Sequence, residues 1–183
     1  MKTKKIVIST AEGKYPILIG KNISTKTGNL LKKNKIFSSK VLLVIDKKVP
    51  NSMVNKIKKS INEKKILFYL KSNEKNKSQD NVNKILNVLL KNNFNRNDCL
   101  ISIGGGIIGD LSAFSASIFK RGILYVNIPT TLLAQVDSSI RGKTGINSKF
   151  GKNLIGTFYQ PKLVISDISF LNHFQKRNHL RLC

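Results

Sequence analysis

The segment Cys99-Leu-Ile-Ser-Ile-Gly-Gly-Gly-Ile-Ile-Gly-Asp110 runs from an apolar stretch into three glycines, two apolar residues, a fourth glycine and an acid. Its first residues predict a buried strand, and the glycines after them predict a tight turn into a helix that begins near Gly109. Because glycine has no Cβ, Gly104, Gly105 and Gly106 let the backbone approach a ligand closely. The amides at the helix start then favour an anion such as a pyrophosphate. A glycine-rich turn without a ligand is the alternative, since about four predicted strands come earlier and the usual dinucleotide fingerprint follows the first strand.

Short β-branched apolar runs alternate with helical patterns along the rest of the chain, which predicts a parallel sheet with crossover helices. Apolar residues in the segment 78–92 recur at spacings of three, four and seven, as in a helix that packs one face on a sheet. The segment 49–62 has a helical pattern as well. The predicted strands cover residues 5–9, 15–19, 40–46, 65–70, 99–104, 124–129 and 163–167.

The composition is that of a globular protein with one or at most two domains: 183 residues, 40% hydrophobic, with only 4 prolines. No apolar run approaches the roughly 18 residues that cross a bilayer, and the apolar stretch 6–8 is shorter than the roughly 7 to 15 residues of a signal-peptide core. Cys99 and Cys183 are too few for a disulfide framework or a thiolate metal site. These features predict a cytoplasmic protein with no membrane partner.

The formal net charge of +24 suggests a nucleic-acid partner, because clustered basic side chains bind a phosphate backbone. The charge excess is spread over the first half, however, since residues 1–98 carry 23 basic and 6 acidic side chains. Of the 33 basic residues 28 are Lys, whereas base recognition and bidentate phosphate recognition favour Arg. We therefore predict no nucleic-acid partner. A non-catalytic nucleotide-binding or basic binding protein is the alternative from another class.

Polar groups follow the strand that ends at Pro129. Thr130 and Thr131 place hydroxyls at the carboxyl edge of the sheet, where open α/β sheets bind ligands. Asp137 ends a short apolar helix, where the helix dipole disfavours a carboxylate. A residue placed against its local preference is a candidate for function, and an ordinary surface acid is the alternative.

The blocks Gly142-Lys-Thr-Gly-Ile-Asn147 and Gly151-Lys-Asn-Leu-Ile-Gly156 each place a lysine directly after a glycine, and we predict loops for both. Each of their polar side chains alone could be a solvated surface group. Their common occurrence in a glycine-rich stretch instead favours a site for a small substrate with both a phosphate and a carboxylate. The candidate ligands of that substrate are Lys143, Lys152, Asn153 and, nearby, Arg121.

Together these blocks resemble the signature blocks of the 3-dehydroquinate synthase family, in the family's order, from Tyr15 to Leu171. The blocks that carry the resemblance are 104–110, 120–122, 129–139, 142–147 and 151–161. The resemblance implies an α/β, Rossmann-like NAD-binding domain over residues 1–171, which also begins the substrate site. Residues 172–183 form a divergent tail, where family members continue into a helical C-terminal domain that we expect to be missing here.

The resemblance also implies roles for individual residues. Those implied to bind NAD are Asp46, Glu74, Lys77, Gly105, Gly106, Ile107, Asp110, Thr130, Thr131, Lys152, Phe170 and Leu171. Those implied to bind the substrate are Arg121, Asp137, Lys143 and Asn153. In the family the arginine is lent to the partner's site across a homodimer interface. Four of the nine acidic residues of the chain lie at these positions, which supports the resemblance independently of the glycines.

The implied reaction converts 3-deoxy-D-arabino-heptulosonate 7-phosphate, a phosphorylated sugar acid, into 3-dehydroquinate and phosphate in the shikimate pathway. NAD oxidises one carbon and later reduces it again. The ketone formed in between acidifies the neighbouring proton, so that phosphate can leave. In the complete enzyme a divalent metal, Zn or Co, assists, and it is held by one Glu and two His.

Three features depart from the family pattern. Arg141 stands where the family has a glycine, and we expect it to crowd that loop. After Leu171 the pattern degrades, and His173 and His179 do not correspond to the metal-binding histidines. We therefore expect only the N-terminal half of the enzyme, ended by a truncation or a frameshift near residue 177, without the metal ligands and without activity on its own.

Two classes of enzyme are the alternatives. Related sugar-phosphate cyclases differ from the family mainly in the half that is missing here. Metal-dependent alcohol and glycerol dehydrogenases share a Gly-Gly-Gly-x-x-x-Asp turn but lack the block 137–156, which makes them the weaker alternative.

Overall fold

A seven-stranded sheet and a separate two-stranded hairpin organise the chain in a computed structural model, which describes residues 3–11, 13–140 and 142–171. The strands are β1 (Lys4–Thr10), β2 (Gly13–Gly20), β3 (Lys40–Asp46), β4 (Lys64–Leu70), β5 (Cys99–Gly104), β6 (Leu124–Pro129), β7 (Lys143–Ser148), β8 (Gly151–Phe158) and β9 (Leu163–Asp167). The α-helices are α1 (Thr27–Lys33), α2 (Asn51–Ser60), α3 (Gln79–Lys91) and α4 (Gly106–Ile118). All seven strands predicted from the sequence are present.

The strand order of the sheet is β1-β2-β9-β6-β5-β3-β4. Every neighbouring pair from β2 to β4 is parallel, and β1 joins the edge antiparallel to β2. This topology confirms the α/β fold that the alternating pattern predicted, since parallel neighbours need crossover connections. The carboxyl ends of the parallel strands therefore lie along one edge of the sheet.

Helices cover both faces of the sheet, as the central strand β3 shows. Alternate side chains of a strand point to opposite faces. Leu43 belongs to a buried cluster with Leu31 of α1 and Ile57 of α2. Val44 belongs to a second buried cluster, which contains residues of α3 and α4. Burial on both faces explains why β3 is a continuous apolar run rather than an alternating one.

Two predictions of local structure are wrong. Helix α4 begins at Gly106 rather than near Gly109, because Gly105 already has the extended backbone of an N-cap residue. The two predicted loops of residues 142–156 belong instead to the antiparallel hairpin of β7 and β8. Its glycines and polar residues hide the strand pattern, although Ile146 is fully buried in the cluster beside α3 and α4.

Some sequence predictions fall on parts of the chain that the structure does not describe. Arg141 and the predicted tail 172–183, with His173 and His179, lie outside the described residues. Among the residues that are described, no helix is long and apolar enough to cross a membrane.

Candidate functional site

The candidate site begins at the carboxyl edge of the sheet, where β5 and β6 end side by side. Gly104 and Pro129 are paired in register, and the amide of Thr130 donates to the carbonyl of Gly104 at 2.9 Å. Residues 104–106, called the glycine turn below, therefore lie directly beside the segment that follows β6. Crevices at this edge of open α/β sheets are the usual place for a ligand.

The glycine turn needs glycine for space. None of its three residues has a positive φ, and Gly105 has φ −77° and ψ −174°, a backbone that any residue adopts. A Cβ on Gly104, however, would lie 2.7 Å from the Cβ of Ile108, and one on Gly106 would lie 3.1 Å from Ser138 Oγ. The first turn of α4 contains no acidic residue. Its amides therefore present the positive end of the helix dipole to an approaching anion.

Thr130 and Thr131, predicted from the sequence, both lie beside the glycine turn. Thr130 is 1% exposed, and its hydroxyl has no hydrogen-bond partner within the described part of the chain. Buried hydroxyls nearly always have a partner, so this one fits a contact with a bound group. The Thr131 hydroxyl accepts from the amide of Ala134 at 3.3 Å and starts the helical turn after β6.

Asp46 lies at the end of β3, the strand next to β5, and flanks the glycine turn on the other side. Its buried carboxylate accepts from the amide of Lys48 at 3.0 Å and from the hydroxyl of Ser72 at 2.6 Å. These two donors fix the orientation of the carboxylate. Ser72 was not among the residues predicted from the sequence, because only the fold brings the segment after β4 to the end of β3.

Lys77, a predicted cofactor residue, connects helix α4 to the hairpin. Its ammonium lies 2.5 Å from Asp110 Oδ2 and donates to Asn153 Oδ1 at 2.5 Å. Burial raises the pKa of the Asp110 carboxyl above its usual range, although the hydrogen bond and the charge of Lys77 act in the opposite direction. The structure thus brings together residues that the resemblance divided between cofactor and substrate.

Three of the four predicted substrate residues line one cavity of about 560 Å³, together with Lys77 and Asp110. They are Asp137, Lys143 and Asn153. Two lysines, two carboxylates and a carboxamide around one cavity can hold a small molecule with several anionic oxygens and hydroxyls. Lys77 also lines a neighbouring cavity of about 770 Å³ with Glu74 and Lys152, two predicted cofactor residues.

Arg121, the fourth predicted substrate residue, does not line this cavity. It follows the C-terminal end of α4, whereas the glycine turn precedes the N-terminal end of that helix. A helix of 13 residues is about 20 Å long, which sets the distance between these two ends. The exposed Arg121 and its neighbour Lys120 both have a left-handed backbone, with φ 64° and 48°. Arg121 therefore lies about one helix length from the glycine turn of its own chain, and its proximity to Lys143 stays a prediction.

Phe170 does not line the site in the way that the resemblance implied. Its side chain is fully buried in the core cluster that also contains Leu31 and Ile165. The ring therefore presents no surface to a cofactor. Leu171 follows it and is half-buried. Ile107, in the first turn of α4, is also half-buried and packs against the other cluster.

Residues 67–181 match the family described as 3-dehydroquinate synthase N-terminal, which is more than half of the chain. The chain belongs to the 3-dehydroquinate synthase family. The 3-dehydroquinate synthase of Pelagibacter ubique (strain HTCC1062) is 56% identical over 94% of this chain and 47% of its own length. That of Blochmanniella floridana is 42% identical over 92% of this chain and 47% of its own length. The chain thus spans about half the length of the curated relatives it matches.

Solved structures support the fold. A 2-deoxy-scyllo-inosose synthase has a TM-score of 0.84 at 24% identity, over 91% of this chain and 47% of its own. The 2-epi-5-epi-valiolone synthase of Streptomyces hygroscopicus, with NAD+ and Zn2+ bound, has a TM-score of 0.77 at 25% identity, over 91% and 46%. An iron-containing alcohol dehydrogenase of Thermotoga maritima scores 0.69 at 21% identity, over 84% and 46%. The dehydrogenase alternative is thus less similar than the cyclases.

The 3-dehydroquinate synthase blocks do not reveal every contact residue of the site. Asn147 ends the block 142–147, and its hydrogen bond to Glu74, 73 positions away, forms only because the fold brings the two segments together. Among the described residues, no group of three or more His, Cys, Asp or Glu side chains could hold a metal ion.

Proposed function

We propose that this chain forms the NAD-binding half of a 3-dehydroquinate synthase and contributes the first part of its substrate site. With a C-terminal half, it would convert 3-deoxy-D-arabino-heptulosonate 7-phosphate into 3-dehydroquinate and phosphate in the cytoplasm. The observation that carries the proposal is the common cavity of Asp137, Lys143 and Asn153 beside the glycine turn. The identity of 56% to a curated family member supports the same reaction.

NAD fits the residues at the edge of the sheet. The closely packed glycine turn leaves its amides open to a pyrophosphate, and the buried Thr130 hydroxyl has a free hydrogen-bonding capacity within the described residues. In this proposal Asp46, whose carboxylate accepts from Ser72, also accepts from a ribose hydroxyl. Bound NAD would supply a reversible acceptor for hydride. The remaining residues of the proposed cofactor site are Glu74, Lys77, Ile107, Asp110, Thr131, Lys152 and, through its backbone, Leu171.

The residues of the hairpin hold and orient the substrate in this proposal. Lys143 supplies a positive charge for an anionic oxygen, and Asn153 supplies a donor from its amide nitrogen while its oxygen accepts from Lys77. Asp137 accepts from a substrate hydroxyl. Lys77 and Asp110 compensate each other's charge. The charges of Lys143 and Asp137 also balance in sum, so Lys143 supplies a local positive charge in a cavity with no net formal charge.

The described residues offer no cluster for the divalent metal, so in this proposal its ligands come from the C-terminal half. The exposed position of Arg121, one length of α4 away from the glycine turn, suits a homodimer in which each arginine serves the site of the other copy. The strained backbone at Lys120 and Arg121 supports a functional role, because such strain tends to persist at functional sites.

Calorimetry with NAD tests the cofactor site in the chain as it stands. Gly106→Val places a branched side chain against Ser138, in the space that a pyrophosphate would need, and we expect it to weaken NAD binding by about a hundredfold. Ser117→Val adds the same side chain near the far end of α4 and should leave the affinity unchanged. Equal affinity of both variants, with both folded by circular dichroism, would contradict the proposed cofactor site.

A further inference from the structure

The hairpin β7–β8 is attached to the main sheet domain through a small set of contacts. Ile146 of β7 is fully buried beside α3 and α4. The next residue, Asn147, makes hydrogen bonds with both its backbone and its side chain. Its amide nitrogen donates to the carbonyl of Lys77 at 2.8 Å. Asn147 thus fixes the hairpin to the segment 74–77, in addition to the bond from Lys77 to Asn153 in β8.

The carboxamide of Asn147 faces two ways. Its nitrogen donates to Glu74 twice, to Oε1 at 2.9 Å and to the carbonyl oxygen at 3.2 Å. Its oxygen accepts from the backbone amide of Asn153 at 3.1 Å. Only a side chain with donors and an acceptor at this short reach can make both sets of bonds. Aspartate keeps the acceptor but loses the donors.

Asn153 depends on this contact for its orientation. Its backbone has φ 57°, in the left-handed region that asparagine tolerates better than most residues. The bond from its amide to Asn147 holds the backbone, and the bond from Lys77 holds its side-chain oxygen. Lys77 in turn pairs with Asp110 on α4. A continuous set of polar contacts therefore runs from the helix behind the glycine turn to the substrate cavity.

We propose that Asn147 is a positioning residue that couples the cofactor side of the site to the substrate side. It acts through Glu74 and Lys77 on one side and through Asn153 on the other. The inference rests on the proposed function for the identity of the two ligands, and on the hydrogen bonds alone for the coupling. Because coupling between two sites is reciprocal, a ligand that orders the segment 74–77 also orders Asn153.

Amide hydrogen exchange by NMR tests this role in the full chain, with and without NAD. In Asn147→Asp, two carboxylates face each other where Asn147 donated to Glu74, and we expect the Asn153 amide to exchange about tenfold faster. Glu74→Gln combined with Asn147→Asp restores a donor and an acceptor in reversed order, at the charge of the natural chain. This double variant should recover slow exchange at Asn153.

The same samples separate coupling from general loss of structure. Amides of β5 should exchange at the same rate in all variants, and Asn97→Asp, the same change at an exposed position, should leave Asn153 protected. In the natural chain, NAD should slow exchange at Asn153, and Asn147→Asp should remove that effect. An unchanged Asn153 amide in Asn147→Asp without NAD, or no recovery in the double variant, would overturn the role of Asn147. If the variants change exchange at Asn153 as predicted without NAD, but the natural chain binds no NAD, the proposed function is overturned instead.

Discussion

The glycine turn and the hairpin β7–β8 carry the two halves of the proposed site, and they are built in opposite ways. The strand β5, which leads into the turn, is buried along its whole length and pairs with strands on both sides. A partly buried hydrogen bond from the hydroxyl of Tyr125 in β6 to the carbonyl of Gly109, at 3.2 Å, connects the first turn of α4 to the sheet. In β8, by contrast, every residue after Gly151 is exposed.

This difference shows where each half obtains its stability. The glycine turn is held in place by the strand before it and the helix after it. The proposed cofactor side therefore takes its structure from residues that are close in sequence and from the packing of the core. The hairpin is held by Ile146 and by polar contacts to distant residues, and it leaves Leu154 63% and Phe158 62% exposed. Exposed apolar side chains of this size usually mark an interaction surface when they are grouped. The substrate side is therefore the part that depends on further contacts.

The largest expected effect is on turnover. We predict that the 183-residue chain alone releases no phosphate from 3-deoxy-D-arabino-heptulosonate 7-phosphate, with or without zinc or cobalt. The described residues hold no metal cluster, and the hairpin cavity is open to water, which weakens its electrostatic contacts. A phosphate-release assay with NAD and added metal measures this. Turnover above the buffer blank would show that the hairpin needs no second half.

A second comparison separates substrate binding from cofactor binding. The test uses an enzyme completed with the second half of the Pelagibacter ubique relative. Lys143→Ala should lower its kcat/KM by a factor that corresponds to a loss of about 2 to 5 kcal/mol in transition-state stabilisation, because it removes the charged partner of a bound anion. NAD affinity should stay nearly unchanged, since Lys143 lies on the hairpin and outside the glycine turn. Asn153→Ala should act in the same direction. Near-normal kcat/KM in both variants would place the substrate elsewhere.

Stability distinguishes the two faces of the hairpin itself. Ile146→Ala removes a fully buried side chain and should lower the free energy of unfolding by about 3 kcal/mol. Leu154→Ala removes an exposed side chain of similar size and should change it by about 0.5 kcal/mol or less. Urea unfolding followed by circular dichroism measures both. A large decrease of the unfolding free energy in Leu154→Ala would mean that the outer face of β8 is already covered in the chain alone.

The smallest expected effect concerns pH. Burial raises the pKa of Asp110 above its ordinary value of 3.8, so the fold favours the protonated carboxyl. The stabilisation that the protonated Asp110 gives to the fold is fully present at a pH below 3.8, and it is lost as the pH rises through the raised pKa. Asp110→Asn mimics the protonated form, and its stability relative to the natural chain should therefore increase from acidic to neutral pH. If the difference in unfolding free energy between Asp110→Asn and the natural chain stays constant over this pH range, Lys77 fully compensates the effect of burial on the Asp110 carboxyl.

The sequence predicted the cofactor side of the molecule more completely than the substrate side. The strands and the glycine turn follow from local patterns, and six of the seven strands lie in a parallel sheet as expected. The hairpin could not be predicted because its glycine, threonine and asparagine residues interrupt the apolar alternation that marks a strand. The burial of Phe170 and the contact between Asn147 and Glu74 depend on packing between distant segments. Such contacts leave no periodic signal in the sequence.

Backbone amide shifts in an NAD titration of the natural chain show directly whether NAD binds at the glycine turn. We predict that the largest shifts fall on Gly105, Gly106, Ile107 and Thr130, with smaller shifts at the segment 74–77. Moderate salt should leave these shifts in place, because they report amide contacts in a formed crevice rather than surface charge. Shifts spread over the lysine-rich segments of residues 1–98 that disappear with salt, and none at the turn, would contradict the claim.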